Sequence, residues 1–332
     1  MGPMIEVSEL TKRYGGKTAV DRLSFTVRPG RVTGFLGPNG AGKSTTLRMI
    51  LGLDAPTAGA ATVDGVPFRR HPRGLRHVGA LLDASHVHGG RTAAAHLAAL
   101  ARSNALPRRR VDESLAEVGL TEAANRRVGG FSLGMKQRLG IAAALLGDPP
   151  VLLFDEPVNG MDPEGVLWVR NLFRRLAAEG RTVFLSSHLM SEMENTADDL
   201  IVIGRGRLIA AEPLRDFATR GTHRAVAVAT PQAAELAAVL TAAGAIVERE
   251  GPTPEPERDA ATPERERPTP EREYPAATRR LTVTGLPATR IGALAHEHRI
   301  RLDELTPHTA SLEAAFMELT ATATEYPAGR PR

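Results

Sequence analysis

Two short stretches of the chain carry residue types whose spacing suits phosphate chemistry. The first, residues 37–44, reads GPNGAGKS and matches the pattern G-x-x-x-x-G-K-[ST]. Glycines let such a loop wrap closely around an anion, so that successive backbone N–H groups point inward at it. We expect Lys43 to bridge the β- and γ-phosphates of a nucleotide, and the Ser44 hydroxyl to hold Mg²⁺. The residues predicted to contact the nucleotide are consecutive: Gly37, Pro38, Asn39, Gly40, Ala41, Gly42, Lys43, Ser44 and Thr45.

The second stretch, residues 151–156, reads VLLFDE. Four apolar residues followed by two acids predict a buried strand whose carboxyl end opens onto a ligand crevice. Asp155 is expected to hold Mg²⁺ through water, and Glu156 to orient and deprotonate an attacking water molecule. This pattern alone is a weak signal. Combined with the glycine-rich loop, it predicts a site for a nucleoside triphosphate with Mg²⁺.

The elements that must position these residues alternate between strands and helices. Apolar runs of strand length lie at 4–7, 19–27, 32–36, 151–154, 182–185 and 200–203. Helical patterns lie between them, as at 163–179, where Asp162 and Pro163 suit the N-cap and first position of a helix. The alternation predicts an α/β core with a largely parallel sheet. Between about 92 and 147 helical patterns dominate, which predicts a helical insert.

A third motif lies inside that insert, where residues 131–138 read FSLGMKQR. Alone, it predicts a serine-capped helix start. Between the two nucleotide motifs, however, it resembles the LSGGQ-type signature of the ATP-binding cassette (ABC) ATPases, and the resemblance covers about residues 4–221. Leu133 and Met135 depart from the family pattern, and the residues that keep it are Ser132, Gly134, Gln137 and Arg138. The resemblance implies a P-loop NTPase core with a helical signature subdomain.

The same resemblance implies that two cassettes bind ATP between them, head to tail. The Ser132 hydroxyl and the Gly134 N–H would then contact the γ-phosphate of ATP held by the other subunit. Hydrolysis at Glu156 would remove the charge that keeps the dimer closed. The resemblance therefore predicts a homodimer or a paired cassette, with ATP and Mg²⁺ as cofactors.

Other family landmarks follow in order along the chain. The resemblance implies that Tyr14 stacks on adenine, although it also suits a half-buried tyrosine at a strand end. His188 stands where the family's switch histidine contacts the γ-phosphate. Asp83 stands where the family usually carries a glutamine that contacts Mg²⁺, so we expect it to be a metal ligand. Asp162 closes a loop resembling one that contacts the partner subunit, and it equally suits a helix cap.

Two domains are predicted. Residues 1–221 form the nucleotide-binding domain, with its helical subdomain at about 84–147. Residues 222–320 form a small α+β domain with a ferredoxin-like fold, because two β-α-β units are predicted there. Their elements are at 225–229, 232–243 and 246–248, then at 280–283, 290–297 and 300–304, followed by a closing helix at 311–319. The Pro-, Glu- and Arg-rich segment 251–277 is expected to be a disordered insertion, and 321–332 a flexible tail.

The composition and charge of the chain exclude several kinds of site and partner. No apolar run reaches the length of a membrane span, and the N-terminus lacks the pattern of a secretion signal. The chain has no cysteine, so disulfides and thiolate metal sites are excluded. The net charge of +4 is mild, and no basic segment is interleaved with aromatics, so we expect no nucleic-acid partner.

We therefore expect the ATPase motor of a transporter, similar to bacterial drug and antibiotic exporter ATPases of the daunorubicin-resistance type. It would be cytoplasmic, peripheral on the inner face of the cell membrane, and bound to a separate permease of about six spans. Three alternatives stay open. A soluble ABC ATPase acting on ribosomes or DNA usually carries two cassettes, a coiled coil or zinc sites, which this chain lacks. An importer ATPase shares every nucleotide motif. A P-loop switch or kinase is disfavoured by His188 and FSLGMKQR.

Overall fold

The structure, a computed structural model, describes residues 4–220, 225–249 and 279–308, together with residues 313 and 316. The described residues divide into two compact units, one reaching Phe217 and including Phe316, the other beginning at Ala218. The predicted insertion 251–277 and tail 321–332 lie outside the described residues. So does the predicted helix 311–319, except residues 313 and 316.

The first unit alternates strands and helices. Its strands are β1 (Ile5–Tyr14), β2 (Lys17–Val27), β3 (Val32–Leu36), β4 (Ala58–Val63), β5 (Val78–Leu81), β6 (Val151–Asp155), β7 (Thr182–Ser187), β8 (Asp199–Gly204) and β9 (Arg207–Pro213). The helices up to residue 220 are α1 (Lys43–Ile50), α2 (Ala93–Ser103), α3 (Arg109–Glu117), α4 (Leu133–Leu145), α5 (Pro163–Ala178), α6 (Met190–Glu194) and α7 (Leu214–Arg220). Of the helices in the described part of the chain, none is both long enough and apolar enough to cross a membrane.

The main sheet has six strands in the order β5-β6-β7-β3-β8-β9. All its neighbouring strands are parallel except the edge pair β8 and β9. The α/β fold with a largely parallel sheet is thus confirmed. Because β6, β7 and β3 are neighbours and run the same way, their carboxyl ends lie side by side. The chain that follows each of them carries one of the predicted site motifs.

A second sheet contains β1, β2 and β4 in antiparallel pairing. The sequence patterns did not predict that it would be separate from the main sheet, and they missed β4 and β9. The Phe25 ring on β2 lies 5.6 Å from the ring of Phe35 and 5.7 Å from that of Phe184, centre to centre. Those two phenylalanines belong to the main sheet, so this buried aromatic group joins the two sheets.

Helices α2, α3 and α4 occupy the chain between β5 and β6, as the helical insert requires. Arg138 of helix α4 contacts two neighbouring parts of the chain. An Arg138 guanidinium N–H donates to the Val118 carbonyl at 3.0 Å, and the guanidinium carbon lies 4.3 Å from the centre of the Trp168 ring on α5. This hydrogen bond and cation–π contact set the position of the FSLGMKQR helix against its neighbours.

The second unit contains β10 (Ala225–Thr230), α8 (Ala233–Ala242), β11 (Ile246–Arg249), β12 (Arg279–Thr284), α9 (Ala288–Glu297) and β13 (Glu304–His308). Its sheet has the order β11-β12-β10-β13, and every neighbouring pair is antiparallel. This is the strand arrangement of two interleaved β-α-β units. Leu236 and Leu240 of α8 and Ile291 of α9 are buried in its core.

The prediction of a strand at 300–304 was wrong, because β13 begins only at Glu304. Residues 299 and 300 instead end helix α9. Arg299 has a left-handed φ of 57°, and its N–H donates to His296 O at 3.1 Å. The N–H of Ile300 reaches back to Ala295 O at 2.8 Å, and its side chain is buried. This is a Schellman ending, in which the apolar residue after the left-handed position packs onto the helix.

Candidate functional site

The glycine-rich loop follows β3 directly, and helix α1 begins at Lys43. Gly40 and Gly42 have φ angles of 82° and 104°, which side-chain-bearing residues rarely adopt. At Gly42 a Cβ atom would also stand only 2.6 Å from the Ala19 carbonyl oxygen. The loop therefore packs against the backbone of β2 at a point where only glycine fits.

Lys43 is the buried cation of the site, with 7% of its surface exposed. Its Nζ donates to the Gly37 carbonyl at 2.6 Å and lies 3.8 Å from Glu156 Oε1. Burial lowers the pKa of Lys43, and the negative charges of Glu156 and Asp155 partly oppose this. The ammonium group thus lies inside its own loop, close to the carboxylate predicted to act on water.

Glu156 links three of the motifs. Its φ of 49° is left-handed, and its N–H donates to both the carbonyl and the hydroxyl oxygen of Ser186 at 3.2 Å. Its Oε2 lies 3.0 Å from His188 Nδ1, while Oε1 faces Lys43. A left-handed non-glycine residue stores about 1–3 kcal/mol of strain, and such residues cluster at active sites. The carboxylate therefore stands between an ammonium group and an imidazole.

Asp155 is the last residue of β6, and it accepts a hydrogen bond from the Ser186 hydroxyl. Ser186 and Ser187 are both fully buried at the end of β7. The sequence patterns missed their part in the site, although two serines ending an apolar strand were a readable signal. Among the described residues no group of three or more His, Asp or Glu side chains is arranged to hold a metal.

Asp83, two residues beyond β5, is engaged in its own loop. Its Oδ1 accepts from the Ser85 N–H at 2.7 Å and from the Ser85 hydroxyl at 2.6 Å, while Oδ2 lies 3.1 Å from His86 Nε2. These Ser85 hydrogen bonds, aided by the charge of His86, lower the pKa of Asp83. In the described part of the chain, these polar partners all lie within residues 83–86.

Tyr14 ends β1, and its side chain is half exposed. The hydroxyl donates to Asp54 Oδ2 at 3.2 Å, and the same oxygen accepts from Arg48 Nε at 2.8 Å. Arg48 belongs to α1, the helix that follows the glycine-rich loop. Lys12 Nζ lies 4.8 Å from the centre of the Tyr14 ring. The ring is thereby tied to that helix while part of its surface remains accessible.

The signature motif forms the start of α4. Ser132 is its N-cap, and its hydroxyl oxygen accepts from the Met135 N–H at 3.2 Å. The half-exposed Leu133 side chain lies against Gly160, where any Cβ would overlap it. Gln137 Nε2 donates to the Asn159 carbonyl at 3.3 Å. The helix start therefore rests on the loop that follows Glu156 in the same chain.

The structure thus brings four predicted residues together: Lys43, Asp155, Glu156 and His188. The contacts described for Tyr14, Asp83 and Ser132 are made elsewhere. Asp162 caps helix α5, accepting from the Gly165 N–H at 2.8 Å. Its interpretation as a helix cap is therefore confirmed, and its predicted contact with a partner subunit stays a prediction.

Comparison with protein families gives two matches. A family model described as ABC transporter matches residues 20–159. A second model, described as a domain of unknown function, matches residues 252–313. The first match contains the glycine-rich loop, the signature motif and the acidic strand end.

The curated relatives similar to this chain include three transport or export ATP-binding proteins. The bacitracin transport ATP-binding protein BcrA of Bacillus licheniformis is 42% identical over 216 residues, covering 64% of this chain and 71% of the relative. The Nod factor export ATP-binding protein I of Ralstonia nicotianae is 41% identical over 216 residues, covering 63% and 66%. The lantibiotic transport ATP-binding protein SrtF of Streptococcus pyogenes is 35% identical over 206 residues, covering 62% and 89%.

Solved structures of ABC transporter ATP-binding subunits are also similar to this chain. An ATP-binding subunit of an ABC transporter has a TM-score of 0.60 at 29% identity, covering 65% of this chain and 92% of that one. A dimeric bacterial ABC transporter cassette has a TM-score of 0.59 at 25% identity, covering 64% and 99%. The fold, the motifs and these similarities lead to one conclusion: the chain belongs to the ABC transporter family, as an ATP-binding subunit with ATPase activity.

Proposed function

We propose that this chain powers the export of an antibiotic or another hydrophobic compound through a separate membrane-spanning subunit. The names of three relatives, for bacitracin transport, Nod factor export and lantibiotic transport, support an exporter. The permease would have about six spans, as expected for such exporters, and would hold this chain at the inner face of the membrane. The residues of the permease would select the compound.

One observation carries the assignment of the catalytic residues. The Glu156 carboxylate has one oxygen 3.8 Å from Lys43 Nζ and the other 3.0 Å from His188 Nδ1. A carboxylate in this position is suited to accept a proton from water that attacks a phosphate held by Lys43. His188 is then the group that orients this carboxylate and contacts the γ-phosphate.

ATP would occupy the loop of residues 37–45, and Mg²⁺ would be held by Ser44 and Asp155. This donor set fits Mg²⁺, which keeps several waters and uses one or two carboxylates together with phosphate oxygens. Asp83 stays a predicted ligand, although its oxygens bind Ser85 and His86 in its own loop. When bound, Mg²⁺ would neutralise charge that develops on the transferred phosphate.

Two copies would close head to tail, with Ser132 and Gly134 of one facing the ATP of the other. Ser132 is the N-cap of α4 and therefore lies at the positive end of that helix, where an anion is stabilised. A dimeric cassette is also among the similar solved structures. Hydrolysis would remove the γ-phosphate that draws the two copies together.

Lys43→Ala tests the ATP site. We expect loss of ATP-dependent phosphate release, with the exposed Lys17→Ala as the matched control that keeps it. ATPase activity that survives Lys43→Ala would overturn the site assignment.

A membrane protein of about six spans, if one is encoded beside this gene, would be the candidate permease for a transport test. The two proteins should co-purify, and inside-out vesicles containing both should accumulate an offered antibiotic only with ATP and wild-type Lys43. Accumulation in right-side-out vesicles instead would identify an importer. Failure of the two proteins to co-purify would favour the soluble ABC ATPase alternative.

A further inference from the structure

Glu192 is a partly buried carboxylate to which the proposed mechanism gives no role. It lies in the first turn of the short helix α6, and its Oε2 accepts a hydrogen bond from the Ser187 hydroxyl. Ser187 is completely buried. Among the described residues no lysine or arginine forms an ion pair with Glu192. Since burying an unpaired charge is costly, a carboxylate at this position calls for an explanation.

The hydrogen bonds around Glu192 enclose the residue that carries the imidazole. The Leu189 N–H donates to Ser187 Oγ at 3.0 Å, and the Ser187 hydroxyl in turn donates to Glu192. His188 lies between Ser187 and Leu189 in the chain. Leu189 is therefore tied to Ser187, and Ser187 to the carboxylate, so this chain of two hydrogen bonds fixes the turn from which the imidazole projects.

The imidazole itself has few restraints. The His188 side chain is 38% exposed, and its described polar partner is Glu156, at 3.0 Å from Nδ1. A side chain so exposed takes its direction mainly from the backbone that carries it. The geometry of the turn then decides whether the imidazole meets the catalytic carboxylate.

Apart from Ser187, the side chains around Glu192 are mainly apolar. It borders a small cavity between α5 and α6 whose wall includes Val158, Val166 and Phe173, with Arg170 also lining it. Burial raises the pKa of Glu192, the nearby charge of Glu156 adds to this, and Ser187 and His188 oppose it. Ser187 is the hydrogen-bond partner that the structure gives this carboxylate.

We propose that Glu192 is a positioning residue that acts through Ser187 to hold the His188 imidazole against Glu156. The inference rests on the catalytic roles proposed for Glu156 and His188. The competing explanation is that Glu192 only stabilises the first turn of α6. The two differ in what happens to His188 when the carboxylate is removed.

The first experiment is steady-state ATPase kinetics. Glu192→Ala should lower kcat about tenfold and leave KM for ATP within about twofold, because ground-state binding of ATP does not need the turn. Ser187→Ala should match it. Glu192→Gln should recover most of the loss, since its amide oxygen can still accept from Ser187. The exposed Glu194→Ala, on the same helix, is the matched control and should keep the wild-type kcat.

The second experiment observes His188 directly, by NMR of protein labelled at its histidines. The chain has 10 histidines, so His188→Ala is used to assign the signal. Glu192→Ala should move the His188 imidazole resonances, and Glu194→Ala should not. Unchanged His188 resonances in a Glu192→Ala protein with a lowered Tm would overturn the inference in favour of a purely structural role.

Different results would overturn the proposed catalytic site and the positioning role of Glu192. If His188→Ala keeps the wild-type kcat, the proposed catalytic site is wrong. If His188→Ala loses turnover but Glu192→Ala and Ser187→Ala do not, only the positioning role is overturned. Should Glu192→Ala fail to fold, Ser187→Ala and Glu192→Gln carry the same test.

Discussion

Two regions of this chain are proposed to contact ATP, and they differ in how much of a site each one supplies. Around Glu156, three motifs distant in sequence meet within hydrogen-bond or ion-pair distance. At the start of α4, Ser132 and Gly134 lie at a capped helix end whose described contacts are with its own first turn and the loop at Gly160. The first region has the parts for catalysis, whereas the second has only a surface for an anion.

The difference follows from where each region lies in the fold. Neighbouring parallel strands bring their carboxyl ends together, so residues after β3, β6 and β7 converge without a second chain. A helix start has unpaired N–H groups but no such convergence, so it becomes a site only when a ligand is brought to it. We infer that the first region acts within one copy and the second acts on its partner.

The sharpest test of the first region is Glu156→Gln. We expect turnover to fall by at least about 100-fold, since a general base contributes on the order of 10²–10⁴ to a rate. ATP should still bind, so an ATP-bound dimer should accumulate in size-exclusion chromatography. Glu164→Gln, an exposed change in α5, is the control. Wild-type phosphate release by the Glu156→Gln protein would remove this residue from the mechanism.

Ser132→Arg tests the second region. In the Glu156→Gln background it should abolish the ATP-induced dimer, because a bulky side chain fills the space meant for the partner's phosphate. ATP affinity of the monomer, measured by fluorescent-nucleotide titration, should stay within about twofold. Ser103→Arg, at an exposed position of α2, serves as the control. If Ser132→Arg weakened ATP binding by the monomer, the two regions would not be separable as we describe them.

Tyr14→Ala probes the edge of the first region. Stacking of a base on an aromatic ring contributes about 1–3 kcal/mol, so the Kd for ATP should rise about tenfold, while kcat at saturation is retained. Tyr14→Phe separates the ring from its hydrogen bond to Asp54. An unchanged Kd in Tyr14→Ala would favour the alternative of a strand-end tyrosine without contact to adenine.

The smallest effect concerns Leu133, one of the two departures from the family signature. Leu133→Gly should leave ATP-induced dimerisation intact or raise it, because Ser132 and Gly134 are unchanged. Gly160→Ala should lower Tm, since its φ is 73° and its Cβ would overlap Leu133. Overpacking of this kind costs about 1–3 kcal/mol, and part of it should be recovered in the Leu133→Gly background. Strictly additive effects would show that the two residues do not interact.

Much of the candidate site can be predicted from local residue patterns. The glycine-rich loop, the acidic strand end and the Ser132 and Asp162 caps each depend on a few adjacent residues with a local physical reason. Helix α5 begins at Pro163 as predicted, because its cap and first proline are local signals. Residue patterns with a mechanism contained within one turn or strand are the ones that the sequence predicts well.

Other features required the folded chain. Strand β4 reads AGAATV, a weak strand former, and it is ordered by pairing with β1. Ile300 looked like the start of a strand, yet it packs as the residue that ends α9. In both cases a partner distant in sequence, or the end of a preceding element, outweighed the local pattern.

By itself, then, the sequence determined the parts: a phosphate loop, two acids, a histidine and a signature helix, each with its own chemistry. Only the tertiary structure decided which of them meet. Parallel strands aligned Lys43, Glu156 and His188, and the left-handed turn at Glu156 placed one carboxylate oxygen towards each of the other two. Chemistry of this kind depends on distances of a few ångströms between residues far apart in the chain, and packing of the sheet sets those distances.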